Sequence, residues 1–168
     1  MTTDQIKCYH DTVQRIYERE ESRRGDVEKQ ALTVLGVTGL VASLTTGLGG
    51  ILLGVAEKGR MGFTLFLAVD FVCILLAFAF ALYHALLALK RIPIHILFPH
   101  EVPLLPEQTA DEYLLNVSNL LAEITTKNYA KTDFKVDNLR SSQTYLQLGI
   151  AFILIGGAGT AIVSLLML

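Results

Sequence analysis

The stretch LFLAVDFVCILL, residues 65–76, sets one aspartate, Asp70, among side chains that otherwise belong in an apolar medium. Whether that medium is a protein core or a lipid bilayer decides the fold, and the windows around it answer the question. Residues 31–56 and 148–168 carry no Asp, Glu, Lys or Arg, and residues 61–89 carry only Asp70. As helices rising ~1.5 Å per residue, all three reach across a hydrocarbon layer of about 30 Å. None shows the polar face that a helix on a soluble core presents at the helical period. With 52% hydrophobic residues and a mean hydropathy of +0.46, the chain reads as an all-α membrane protein with three transmembrane helices, 31–56, 61–89 and 148–168. The first window follows a long charged segment and exceeds a signal-peptide core, so it is expected to be an uncleaved anchor.

Orientation follows from the cations. Lys7, Arg15, Arg19, Arg23, Arg24 and Lys29 precede the first span, and Lys90, Arg91, Lys127, Lys131, Lys135 and Arg140 lie between the second and third, against Lys58 and Arg60 in the hairpin. The positive-inside rule puts residues 1–30 and 90–147 in the cytoplasm, and the hairpin loop and C-terminus outside. Acidic residues match the cations in both cytoplasmic blocks, so neither has the basic surface that nucleic acid requires.

Around the spans, Thr2 with Gln5 predicts a capping box opening an amphipathic helix with the stripe Ile6, Tyr9, Val13 and Ile16, weakened near Gly25. The loop EKGR, 57–60, is short enough to make the first two spans a hairpin. All four prolines, Pro93, Pro99, Pro103 and Pro106, fall in the next connection and bar a long helix there. Thr109 with Glu112 predicts a second capping box, opening a helix with the stripe Leu114, Val117, Leu121 and Ile124. Packed together, the two stripes would form a cytoplasmic sensor bundle.

Asp70 is the leading candidate for function, because a carboxylate in hydrocarbon costs about 2.5–3.5 kcal/mol and must face protein or water. Asp70, Cys73, Ala77, Ala81 and His84 share one narrow, partly polar helix face. Thr45, Thr46, Thr160 and Ser164 are expected at a similar depth, as hydroxyl partners for the carboxyl group. Three readings stay open: Asp70 locks the helices together, it lines a water-filled path made by several copies of the chain, or it relays protons or ions with His84. Gly39, Ser43 and Gly47 in the first span and Gly156 and Gly157 in the third form small surfaces expected at helix contacts, within or between subunits.

Other chemistries find no footing. Cys8 and Cys73 cannot make a structural disulfide, and neither has the neighbours of a catalytic thiol. His95, His100 and Glu101 match no metal spacing, and no nucleophile, phosphate-loop or zinc-protease signature is present, so neither catalytic residues nor a cofactor are expected.

The charged helix ending ESRRGDVEKQA, the paired spans, the LFPHEVP stretch and the NYAKTDFKVDNL helix before a last apolar segment resemble the small transmembrane effectors of bacterial antiphage systems, the SLATT and Pycsar-type families. The likeness is one of layout over nearly the full chain, touching Lys29–Ala31 at the first span and Asn128 and Lys131 before the last. It implies a homo-oligomer in the inner membrane that opens or disrupts the bilayer when a cyclic nucleotide or a partner protein signals. The chain lacks a recognisable cyclic-nucleotide-binding domain, so such a ligand would bind the small cytoplasmic helices or a separate sensor protein. The alternatives are a non-catalytic anchor or adaptor of a larger complex, and a small proton or ion carrier.

Overall fold

The computed structural model describes the backbone of residues 2–56, 61–95 and 108–166, and the side chains of 2–47, 62–95 and 108–162. The EKGR turn, most of the proline-bearing connection with His100 and Glu101, and the side chain of Ser164 lie outside the described residues. There are three helices, α1 (Thr3–Ala56), α2 (Met61–Leu89) and α3 (Ala110–Leu166), and no strand among the described residues. Each contains a segment long and apolar enough to cross a membrane.

The amphipathic segments are continuous with the apolar ones. α1 passes Gly25 without a break. A helical glycine costs only about 1 kcal/mol relative to alanine, whereas a proline costs about 3, and every proline of the chain lies outside α1 and α3. Both long helices open as their sequences dictate. The Thr2 N–H donates to Gln5 Oε1 at 3.0 Å and the Gln5 N–H to Thr2 Oγ1 at 3.4 Å. At α3, the Thr109 N–H donates to Glu112 Oε2 at 2.9 Å and the Glu112 N–H to Thr109 Oγ1 at 3.3 Å. These reciprocal bonds satisfy amides that the helix itself leaves without acceptors. They also hold the Glu112 carboxyl below the ordinary glutamate range, chiefly through the Thr109 backbone N–H.

The chain divides into two compact units, residues 1–28 with 90–136 and residues 29–89 with 137–168. In the first, α1 and α3 run parallel: Thr3 bonds Asp111, His10 bonds Ser118, Arg23 bonds Asp133 and Lys135 bonds Glu28, at sequence offsets of 108, 108, 110 and 107. A nearly constant offset over seven turns is the mark of helices packed side by side in fixed register. The buried positions of α1 are Ile6, Val13, Glu20 and Val27, seven residues apart, with His10, Tyr17 and Arg24 half-buried between them. Those of α3 include Ser118, Leu121, Thr125, Asn128, Thr132 and Lys135, at alternating steps of three and four, with Ile124 buried beside Thr125.

This corrects the expected stripe. Ile16 is 52% exposed, and its place at the contact is taken by Tyr17. Tyr9 is half-buried and reaches Asn119 through its hydroxyl at 3.2 Å. On α3, Leu121 and Ile124 are buried, while Leu114 and Val117 are only half-buried beside the deeper Ser118. A strict seven-residue register overrides local apolarity, because a residue one step off it points away from the partner helix.

In the second unit α2 and α3 run antiparallel. The contacts pair Phe66 with Gly159, Asp70 with Gly156, Phe78 with Gly149 and Ala81 with Ser142, one number rising as the other falls. Leu67, Ile74, Ala77, Phe78, Ala81, Ala85 and Ala88 form the buried face of α2. The remaining surface is apolar: Leu40, Leu44, Leu65, Val69, Leu86 and Leu154 are each more than half exposed. A monomer in water does not leave so large a continuous apolar surface uncovered.

Candidate functional site

The candidate site is the α2–α3 seam around Asp70. α2 brings Asp70 to it because Leu67, Asp70, Ile74, Ala77 and Ala81 step by three and four along one helix face. α3 receives it because its matching positions are glycines. A Cβ on Gly156 would stand 2.2 Å from Asp70 Oδ2, and one on Gly149 would stand 2.4 Å from the Phe78 ring. Asp70 and Phe78 thus sit in notches that any side chain would fill. Asp70 is 9% exposed, and it makes no hydrogen bond among the described residues.

The three expected hydroxyl partners whose side chains are described do not bond it. Thr45 donates to Val41 O at 2.8 Å, Thr46 to Ala42 O at 2.9 Å and Thr160 to Gly156 O at 2.8 Å, each closing on the carbonyl four residues earlier in its own helix. In an apolar helix that local acceptor is always within reach, so it outcompetes a carboxylate on a neighbouring element.

Other members of the predicted face divide. Ala77 and Ala81 are buried against α3, where Ser142 Oγ donates to Ala81 O at 2.6 Å. Asp70, Ala77 and Ala81 therefore form a packing seam with α3 of the same chain. Cys73 is a free, half-buried thiol. His84, also half-buried, donates from Nδ1 to Asn138 Oδ1 at 2.9 Å and lies parallel to the Tyr145 ring at 5.6 Å between centroids. Asn138 and Ser142 escaped sequence reading, although they continue the three-and-four spacing of Lys135 and Leu139.

The small-residue surfaces divide too. Gly156 meets Asp70, but Cβ atoms on Gly36, Gly39, Gly47 and Gly157 would meet nothing within 4 Å. Ser43, between two of those glycines, is exposed and bonds Gly39 O at 2.9 Å. This glycine face of α1 is open among the described residues.

The first unit carries most of the ionic contacts. Arg23 donates to Asp133 at 2.6 Å and lies 5.1 Å above the Tyr129 ring, and the Asp133 bond raises its guanidinium pKa further. Lys135, only 5% exposed, reaches Glu28. On the outer face of α3 Lys127 bonds Glu123, lowering that carboxyl's pKa. Asn128 clamps the chain leaving α2, accepting from the His95 N–H at 3.1 Å and donating to His95 O at 2.8 Å, while Lys131 bonds Pro93 O. Among the described residues no group of three His, Cys, Asp or Glu is placed to hold a metal ion.

No protein-family model matches the chain, and neither a curated protein nor a solved structure is significantly similar to it.

Proposed function

We propose that this chain is a subunit of an oligomeric, channel-like effector of the bacterial inner membrane, which permeabilises the bilayer on a cytoplasmic signal. The observation that carries this reading is Asp70: buried in a candidate span, held in a glycine notch, and without a hydrogen bond among the described residues. A polar group retained inside an apolar helix only to hold a fold finds a partner, since leaving one unmade costs about 1–3 kcal/mol. An acidic side chain kept covered but unbonded suits a group that is uncovered in use, when a ring of carboxylates from several subunits would select cations. On this reading, movement of α3 away from α2 lifts Gly156 off Asp70. The open glycine face of α1 supplies the subunit contact. The cation-rich segments 1–30 and 90–147 stay inside the cell, the C-terminus lies outside, and the layout shared with SLATT and Pycsar-type effectors supports a role in antiphage defence.

Ion or dye release from liposomes holding the purified chain tests this, with cyclic nucleotides or cell extract from infected cultures as signals. Wild type is expected to leak on signal, Asp70→Asn to lose cation selectivity, and Asp70→Leu to lose conductance while still assembling. A chain that releases nothing under any signal and migrates as a monomer overturns the proposal. Normal function of Asp70→Asn within a larger complex marks an anchor instead.

A further inference from the structure

One face of α2 changes character along its length. Leu65, Val69, Val72, Leu76, Phe80 and Tyr83 recur at steps of three and four, so they share that face, and each is at least 49% exposed. The face is aliphatic as far as Leu76 and aromatic after it, and the only polar side-chain atom among these six residues is the Tyr83 hydroxyl.

α3 changes at the same level. The Phe78 ring lies against Gly149 and Ser142 Oγ donates to Ala81 O, so residues 143–148 of α3 are bracketed between the levels of Phe78 and Ala81. Within that bracket Gln143, Thr144 and Gln147 are exposed. Residues 148–162 then carry a single polar side chain, Thr160, which bonds Gly156 O of its own helix. An outward-facing carboxamide is strongly disfavoured in hydrocarbon, so Gln143 and Gln147 belong where water reaches.

Four rings meet at this level in one continuous ladder. Phe80 stacks on Tyr145 at 5.4 Å between centroids, Tyr145 lies parallel to His84 at 5.6 Å, and Tyr83 meets His84 edge-on at 5.4 Å. Rings with an apolar body and a polar tip gather where acyl chains give way to headgroups. Helix lengths agree with an edge here. Residues 61–83 of α2 span ~33 Å and residues 147–166 of α3 span ~29 Å, each close to the thickness of a hydrocarbon layer. The whole of α2, with 29 residues, would need ~43 Å.

We propose that Phe80, Tyr83, His84 and Tyr145 form the chain's contact with the lipid headgroup layer at one face of the bilayer. The inference rests on the membrane reading above. Phe80 meets the ends of the acyl chains nearest the glycerol, and Tyr83 and His84 stand among the ester and phosphate oxygens, which accept hydrogen bonds. The end of α2 beyond Tyr83, with the His84–Asn138 bond, then lies outside the hydrocarbon. Asp70, ~20 Å back along the helix from Tyr83, lies deep within it. The two titratable groups of this α2 face therefore stand in different media.

The chain has no tryptophan, so one introduced indole reports its own depth. Tyr83→Trp and Leu76→Trp, two turns apart on the same exposed face, are each reconstituted in vesicles of lipids brominated at successive acyl positions. Tyr83→Trp is expected to be quenched best by bromine nearest the headgroup, and Leu76→Trp by bromine roughly 10 Å deeper. Should Tyr83→Trp fail to fold, Tyr145→Trp reads the same edge from α3. An indole at position 83 that reads as deep as the one at 76, or that escapes lipid quenching while the one at 76 is quenched, overturns the proposal and leaves the membrane reading intact. Absence of lipid quenching in every variant overturns both.

Discussion

Glycines in this chain serve two opposite purposes, and the difference lies in what a single added carbon would meet. At Gly149 the Phe78 ring occupies the space a methyl group would need, and Phe78, 2% exposed, is enclosed by its own helix and by α3. Gly149→Ala is therefore expected to destabilise the α2–α3 pair by about 1–3 kcal/mol, as overpacked cores do. Gly157→Ala, which meets open space, should be neutral or slightly stabilising through helix propensity. Unfolding of the two variants side by side in detergent checks the contrast. Glu112 offers a second residue-level prediction. Its folded pKa lies below the ordinary value because the Thr109 N–H bonds the charged form. The stabilisation it gives is thus fully present above the ordinary glutamate range and is lost as pH falls through the lowered folded value. Amide exchange at the start of α3 should accelerate in that acidic window, whereas in Glu112→Ala it should be fast at every pH. A wild-type terminus whose exchange shows no such acid step would refute the cap.

At the scale of the element, the helices and their apolar windows were legible because charge-free runs and capping pairs are local signals. The seam between α1 and α3 was less so. Its buried positions on α3 include Ser118, Thr125, Asn128, Thr132 and Lys135, none of which hydropathy marks as interior. On α1, Ile16 is the more apolar neighbour of Tyr17, yet Tyr17 holds the register. What identifies such a seam is the persistence of one period along both helices, visible only when polar residues are counted by position as well as by hydropathy. The Asp70 face was legible in the sequence because spacing shows which residues share a face, but the glycine notch opposite depends on how two distant segments align. The register makes a prediction of its own. Val13→Glu would bury an unpaired charge at the seam and should cost about 3 kcal/mol or more, while Ile16→Glu, three residues on, should change stability by no more than about 0.5 kcal/mol. Equal effects of the two substitutions would mean that α1 is rotated from the register described here.

For the whole molecule, the question is what meets the glycine face of α1, which no described residue contacts at Gly36, Gly39 or Gly47. A Cβ on Gly36, Gly39 or Gly47 would meet nothing among the described residues, so no described neighbour explains why α1 carries small residues there, at a propensity cost of about 1 kcal/mol each. Within a bilayer, helices gain by approaching closely where side chains are absent, since lipid tails already solvate bulky apolar residues. The proposed oligomer gives that face an occupant, the same face or another helix of a second copy. Replacing Gly39 and Gly47 together by leucine separates assembly from folding, because a Cβ added at either position would meet nothing among the described residues. The double variant should insert and unfold like wild type, or with slightly higher stability from its better helix formers. Its cross-linking in membranes should nevertheless fall by roughly tenfold or more, the loss expected when about 1.4 kcal/mol of subunit contact is removed. Signal-dependent leakage should fall with it. A double variant that cross-links as well as wild type would show that subunits meet through another surface, and one that assembles normally but no longer leaks would move the role of this face from assembly to opening.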